Sequence, residues 1–190
     1  MRMDGTQNSL GDTFMADEDP TRDRQTVTPD GKRIQELIEG VQIRPAITHP
    51  DERGELTEIH NPAWGFDAAP LAYVYQFTIR PDIAKGWVMH AIQHDRMFVS
   101  LGAVKMVLYD ARPTSPTYEM VNEIFVTERN RALVTWPHHV YHALHNIGRT
   151  DAVLINMPTR PYDHAEPDKY RLPLNNEIIP YQFDPAVNGW

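Results

Sequence analysis

The sequence predicts an all-β protein, a sandwich or barrel built from many short strands. Short apolar or alternating runs separated by turn residues favour this fold class, and no long stretch among them has a helical period. The 16 prolines that punctuate the 190 residues favour it as well, and a chain of this length fits one domain with a sizeable core. The predicted strands lie within 71–79, 87–92, 97–101, 104–109, 124–126, 133–136, 141–145 and 152–157.

The order of the remaining segments predicts a tail followed by a single domain. Residues 1–30 hold an acidic run and few bulky apolar residues, so we expect a flexible, disordered acidic tail. Residues 31–190 form the predicted domain, and the apolar pattern from Ile34 to Ile43 predicts a short helical turn leading into the first strand. The last segment, 160–190, is rich in Pro, Tyr, Asp and Asn, and we expect it to wrap the barrel or close over its mouth.

Composition and charge exclude several classes of protein. The formal net charge of -8 argues against a nucleic-acid partner, because neutralising phosphates needs clustered Lys and Arg. The chain has no cysteine, so any metal would rest on His, Asp or Glu. The polar N-terminus lacks the apolar core of a signal peptide, and no segment approaches the roughly 20 apolar residues of a membrane span. We therefore expect a soluble cytoplasmic protein with no membrane partner.

Histidines concentrate in two windows of the sequence. Four of the nine lie between Pro137 and Asn146, and two more, His90 and His94, lie upstream in the segment that begins at Gly86. Histidine titrates near neutrality, and it moves protons or binds metals. The pattern predicts one functional site in which the two windows face each other.

The spacing of Pro137, His142 and Asn146 resembles the second sequence motif of the cupin barrel, in which a turn precedes a strand that carries His and Asn. His139 stands where that motif has its turn glycine. Upstream, Asp95 stands where metal-binding cupins carry a Glu. The resemblance implies a double-stranded β-helix, the jelly-roll barrel of the cupins.

A closer resemblance covers most of residues 35–175. Residues 51–58, with the sequence DERGELTE, resemble the Asp-x-Arg-Gly opening of the dTDP-4-dehydrorhamnose 3,5-epimerase family. Residues 109–118 resemble its Asp-x-Arg-x-x-Ser-Pro-Thr-Phe segment, and residues 127–130 resemble its Ser-x-x-Asn segment. The resemblance implies an isomerase without cofactor that acts next to the ketone of a nucleotide-linked 4-keto-6-deoxy sugar or a related keto compound. It also implies a homodimer, built by strand exchange or sheet packing.

The catalytic segment of that family reads Arg-Gly-x-His-x-Gln and then reaches a lysine before the next strand. Here His90 matches the histidine, and Gln93 lies close to the glutamine. Trp87 stands where the arginine is expected, and Asp95 stands where the lysine is expected. An anion in place of a cation would destabilise a developing enolate. At Asp95 this chain therefore departs from the family in the charge next to the expected enolate.

The resemblance also implies roles for single residues. His90 would be the base that removes the proton, Tyr162 the acid that returns one, and His142 a donor to the oxyanion. Asp163 and Asp184 are candidates for the aspartate that pairs with the histidine of the family. A bidentate guanidinium suits a diphosphate, and aromatic rings can stack on a base or sugar. The predicted substrate-binding residues are Arg53, Gln93, Arg112, Asn130 and Trp136.

Two alternatives use the same fold. The first is a metal-dependent cupin enzyme, in which His90, His94, Asp95 and His142 bind one divalent transition metal. Neighbouring strand residues face opposite sides, so a bend between Gln93 and Asp95 would be needed to bring His94 and Asp95 to one ion. The second is a non-catalytic cupin that binds a small molecule, which the missing arginine and lysine near His90 would favour.

Overall fold

A computed structural model describes residues 22–189, so residues 1–21 of the predicted tail lie outside the described part. The described residues fall into two compact units, 22–36 and 37–189. In the first unit, Val27 and Arg33 form an antiparallel bridge across a turn. The predicted boundary at residue 30 stays a prediction.

The second unit consists mainly of β-strands, which confirms the predicted fold class. Within residues 22–189 no helix reaches the length and apolar character that crossing a membrane requires. The one short helix described is the 3-10 turn Pro62–Trp64. The strands are β1 (Gln42–Pro45), β2 (Thr48–Asp51), β3 (Gly54–Thr57), β4 (Tyr75–Ile79), β5 (Ile83–Met89), β6 (Asp95–Leu101), β7 (Ala103–Asp110), β8 (Val121–Thr127), β9 (Ala132–Trp136), β10 (Val140–Asn146), β11 (Ala152–Asn156), β12 (Tyr170–Arg171) and β13 (Asn188–Gly189).

Two larger sheets carry the fold. One has the strand order β1-β9-β6-β11-β4, and the other has the order β12-β5-β10-β7-β8, with β13 paired to β5. Strands β2 and β3 form a separate hairpin. The pairings are antiparallel apart from that of β13 with β5. This is the jelly-roll arrangement that the cupin resemblance implied.

Apolar side chains from both larger sheets pack into one core. Because side chains alternate along a strand, Met97 and Val99 of β6 point inward, as does Leu154 of β11. Ile38 and Val41 join this core from the segment before β1, where the amide of Val41 donates to the Ile38 carbonyl at 2.9 Å. That segment forms a turn and no helix, so the predicted helical turn is wrong.

The C-terminal segment covers the outer face of strand β5. Leu174, Ile179 and Phe183 pack with Trp87 and Ala143 in a second apolar cluster. Residues 172–187 therefore wrap this face of the barrel, one of the two placements predicted for the C-terminal segment.

Asn146, the last residue of the cupin-like motif, ties the end of β10 to its neighbours. Its side-chain Nδ2 donates to the carbonyls of Ile79 and Thr150, each at 2.8 Å. Its Oδ1 accepts from the amide of Gly148, also at 2.8 Å. All of its amide hydrogens and its oxygen are therefore used in a fully buried position.

Replacing this residue, Asn146→Ala, should lower the free energy of unfolding by about 2 to 4 kcal/mol, because buried carbonyls and an amide lose their partners. Urea denaturation followed by circular dichroism measures the effect. The matched control is Asn130→Ala, in an exposed turn, which should change stability by less than about 0.5 kcal/mol. An unchanged denaturation midpoint for Asn146→Ala would contradict this account of the motif.

Candidate active site

A cavity of about 260 Å³ lies between the two larger sheets, and His90 and His142 line it. Strands β4, β6 and β11 contribute from one sheet, and strands β5 and β10 from the other. Along β4, the residues that line the cavity, Tyr75 and Phe77, alternate as expected for one face of a strand. The lining residues are Tyr75, Phe77, Ile83, Ala84, Lys85, Val88, His90, Asp95, Met97, His142, Leu144, Asn156, Lys169, Arg171 and Gly189.

His90, Asp95 and His142 meet at the centre of this cavity. Asp95 Oδ2 lies 3.3 Å from His90 Nε2 and 3.6 Å from His142 Nε2. Asp95 Oδ1 accepts from Asn156 Nδ2 at 2.9 Å and from Gln93 Nε2 at 3.2 Å. The prediction that the two histidine windows face each other in one site is therefore confirmed, with a carboxylate between them.

Trp136 fixes the tautomer of His142. Its indole N–H, which can only donate, lies 3.1 Å from His142 Nδ1. Nδ1 must therefore accept, and the ring proton of the neutral imidazole sits on Nε2, on the side of Asp95. Burial lowers the pKa of His142 to about 3 and outweighs the opposite effect of the Asp95 charge. His142 is a neutral donor at physiological pH.

The loop after β5 is held by Asp168. The Asp168 carboxylate accepts from the amides of Ala91, Ile92 and Gln93 at 2.8, 3.0 and 3.0 Å. The Asp168 backbone carbonyl contacts His90 Nδ1. Because a carbonyl only accepts, this contact places a proton on Nδ1 and leaves Nε2 of His90 as the basic nitrogen.

The electrostatics of His90 and Asp95 are coupled. Burial favours the neutral form of His90, but the contact with Asp95 and the charge of Asp95 outweigh it and raise the pKa of His90. Burial alone would raise the pKa of Asp95, but His90 and His142 hold it well below its usual range. Asp95 is therefore an anion at neutral pH, and it stabilises the imidazolium form of His90.

The same three residues are the one group in residues 22–189 whose ligand atoms lie close enough to hold a metal ion, within 4.8 Å of one another. His94 is not part of this group, and its Nε2 lies 3.1 Å from His138 Nδ1. The predicted four-residue metal set is therefore not brought together. Coordination through His142 Nε2 would also need a lone pair on the nitrogen that carries the proton. A metal could bind there only if the hydrogen bond from Trp136 were lost.

A second cavity of about 250 Å³ adjoins the first and shares Tyr75, His90 and Lys169 with it. It contains Tyr162, the predicted acid, and Gln93, a predicted substrate-binding residue. His90 and Tyr162 thus line one continuous space. The aspartates predicted to pair with the histidine, Asp163 and Asp184, cap nearby backbone amides instead.

Arg112 is held inside its own sequence motif. Its Nε donates to Asp110 Oδ1 at 2.7 Å, and its Nη2 donates to the Glu39 carbonyl at 2.7 Å. The hydroxyls of Ser115 and Thr117 donate to the other oxygen of Asp110 at 2.6 and 2.7 Å. The Asp-x-Arg-x-x-Ser-Pro-Thr segment therefore closes the connection between β7 and β8, and Arg112 lines neither cavity.

The remaining predicted substrate-binding residues also lie outside the two cavities. Arg53, on the β2–β3 hairpin, is 81% exposed and pairs with Asp51. Asn130 lies in the exposed turn between β8 and β9. Trp136 is buried behind His142. Contact of these residues with a substrate stays a prediction.

Sequence reasoning missed several residues of the site. Tyr75 had a usable signal, because it alternates with Phe77 and Ile79 on one face of a strand. Lys169 had none, since it belongs to a segment without periodicity. Together with Lys85 and Arg171 it makes one edge of the cavity positive in an otherwise acidic chain.

No family model matches this chain. Solved structures of sugar-nucleotide isomerases and epimerases nevertheless share its jelly-roll fold. The structure of a dTDP sugar isomerase from Desulfovibrio desulfuricans G20 covers 76% of this chain and 91% of its own, with a TM-score of 0.72 and 23% identity. NovW, a 4-keto-6-deoxy sugar epimerase from the novobiocin gene cluster of Streptomyces spheroides, covers 83% and 82%, with a TM-score of 0.71 and 22% identity.

Among sequences, the chain is 29% identical over 154 residues to "Probable low-salt glycan biosynthesis epimerase Agl13" of Haloferax volcanii, covering 80% of this chain and 98% of that protein. It is 28% identical over 152 residues to the spore coat polysaccharide biosynthesis protein SpsL of Bacillus subtilis, covering 78% and 97%. The predicted resemblance to the epimerases is confirmed.

Replacing Asp95 by Asn should lower the pKa of His90, because burial remains while the anion that stabilises the imidazolium is removed. Proton NMR titration of the His90 ring measures the pKa. The control Asp184→Asn removes an exposed carboxylate that caps Ala186 and should leave the titration unchanged. A His90 pKa that did not fall in Asp95→Asn would show that the two groups do not pair in solution.

Proposed function

We propose that this protein is an epimerase that acts next to the ketone of a nucleotide-linked 4-keto-6-deoxy sugar, through an enolate. The observation that carries the proposal is the placement of His90, a histidine with a fixed tautomer, in a space that also contains Tyr162. Agl13 is named as a glycan biosynthesis epimerase, and NovW as a 4-keto-6-deoxy sugar epimerase. Both names support the same reaction class.

The geometry supplies a base for this reaction. In its neutral form, His90 has a proton on Nδ1 and a lone pair on Nε2, which lies 3.3 Å from Asp95 Oδ2, and the residue lines the cavity. Nε2 can take the proton next to the ketone, and the imidazolium that results is stabilised by Asp95 at 3.3 Å. Tyr162 would return a proton from the opposite face, which inverts the carbon.

The charges at the cavity edge suit an anionic substrate. Lys85, Lys169 and Arg171 line the cavity of a chain whose formal net charge is -8. A local cluster of cations is what such a chain needs to hold a diphosphate. ChmJ, a 3'-monoepimerase from Streptomyces bikiniensis, has been solved in complex with dTDP-quinovose, which supports a nucleotide sugar as the ligand class.

The reaction as proposed needs no metal and no organic cofactor, since proton transfer and oxyanion stabilisation come from side chains. We also propose a homodimer. Ile47, just before β2, and Leu56, on β3, have exposed fractions of 63% and 60%. A second copy of the chain could cover both side chains. Such packing would also explain why Arg53 lies outside the cavities of its own chain. The cytoplasmic location stays a prediction.

Proton NMR of dTDP-4-keto-6-deoxyglucose in deuterated buffer tests the proposal, using chelator-treated protein. The signals at C3, C5 or both should disappear. His90→Asn should slow this exchange by about 100-fold or more, while its affinity for dTDP stays within a few-fold. The control His60→Asn changes a histidine that lines neither cavity and should keep full activity.

Other results would point elsewhere. Full exchange by His90→Asn would reject His90 as the base. Exchange that depends on a stoichiometric metal, lost in His90→Asn, would favour the metal-dependent cupin that the three central ligands allow. Binding of dTDP without exchange by the folded wild-type protein would favour the non-catalytic binding module.

A further inference from the structure

Tyr75 lies at the start of β4, and its side chain lines both cavities. On strand β11, Asn156 is its direct cross-strand partner. Asn156 Nδ2 lies 2.9 Å from the Tyr75 hydroxyl and 2.9 Å from Asp95 Oδ1. One amide group therefore connects the tyrosine to the central carboxylate.

The carboxylate fixes the orientation of this amide. Asp95 is an anion and can only accept, so the group that faces it must be the NH2 of Asn156 and not the carbonyl oxygen. The same nitrogen also faces Tyr75. Its two hydrogens therefore go one to Asp95 and one to the tyrosine oxygen, and a flipped amide would place oxygen against oxygen.

It follows that the Tyr75 oxygen accepts a hydrogen bond and its own proton is left over. Within residues 22–189 the hydrogen-bond partner of the Tyr75 hydroxyl is the donor Asn156 Nδ2, and Tyr75 lines the cavity, where a ligand could accept the remaining proton. Burial raises the pKa of Tyr75 to about 12, so the proton stays on the oxygen across the physiological range. The Tyr75 O–H group can therefore donate a hydrogen bond to a ligand in the cavity.

The two positions where the resemblance expects cations cannot fill this role. Trp87 is fully buried, and its indole N–H donates to the carbonyl of Leu174 at 2.9 Å. Asp95 is an anion. His142 has one ring proton, and it lies on the nitrogen beside Asp95. Besides His90, the side chains that line both cavities are Tyr75 and Lys169, and of these two Tyr75 has its donor position fixed by a hydrogen bond.

We propose that Tyr75, positioned by Asn156, is a catalytic residue that donates a hydrogen bond to the ketone oxygen of the substrate and to the enolate oxygen formed from it. This rests on the proposed function. His90 Nε2 takes the proton from the carbon next to the ketone, the C–H electron pair forms a C=C bond, and the carbonyl π pair moves onto oxygen. Tyr75 retains its proton. Tyr162 gives its phenolic proton to the carbon from the other face, the C=C pair forms the new C–H bond, and the oxygen pair re-forms the C=O bond. Proton exchange with solvent then restores neutral His90 and Tyr162.

The test compares Tyr75→Phe with the wild-type protein in the deuterium exchange assay. The variant removes only the hydroxyl and should slow exchange by about 100-fold or more, because one donor to an oxyanion is lost. The affinity for dTDP, measured by calorimetry, should stay within a few-fold. The dependence of the exchange rate on pH should keep its shape, because His90 and Asp95 remain in place. The matched control is Tyr118→Phe, at an exposed tyrosine outside both cavities, which should behave as wild type.

Each outcome decides a different point. Exchange within about three-fold of wild type in Tyr75→Phe would overturn the role of Tyr75 and leave the proposed function standing. Slow exchange with a displaced pH profile would also overturn it, because Tyr75 would then act through the His90–Asp95 pair. Absence of exchange in the folded wild-type protein would reject the proposed function, and this inference with it.

Discussion

The buried carboxylate of Asp95 is the constraint on which the rest of the site depends. A charge between two sheets costs several kcal/mol unless it is paired and hydrogen-bonded. Here Asn156 and Gln93 donate to one oxygen, while the other lies against the Nε2 atoms of His90 and His142. Because those partners come from both sheets, the carboxylate also fixes how the sheets present their side chains to the cavity.

Both histidines beside the carboxylate have a second contact on their other ring nitrogen. Trp136 donates to His142, and the Asp168 carbonyl contacts His90, so both rings have a defined tautomer. These contacts determine which ring nitrogen of each histidine donates and which accepts. A given nitrogen of a neutral histidine can donate or accept, but it cannot do both. Without Trp136, His142 could present a lone pair to a metal. With it, His142 is a donor.

Much of this organisation could be predicted from the sequence. Strand-length runs gave the all-β class, and the spacing from Pro137 to Asn146 indicated the barrel and its histidine window. The contacts that specify the chemistry could not be predicted, because they join residues far apart in the chain through strand register. Arg112 is a second example. Its motif predicted a substrate contact, but its guanidinium donates hydrogen bonds to Asp110 and to the Glu39 carbonyl. The apolar pattern from Ile34 to Ile43 predicted a short helical turn, but its spacing of three residues, as between Ile38 and Val41, is also satisfied by the turn that the chain forms.

The anion at the position of the expected lysine has a different meaning once its distances are known. From the sequence alone, an aspartate there opposes the negative charge of an enolate. Proton abstraction creates two charges, however, and Asp95 lies 3.3 Å from the nitrogen that becomes positive. It therefore stabilises the imidazolium directly at the nitrogen that takes up the proton. The negative charge on the substrate must then be stabilised by other groups, and Tyr75 and Lys169, which line both cavities beside His90, are placed to do so. An enolate mechanism therefore does not require a cation at position 95, because Lys169 supplies one to the same cavity.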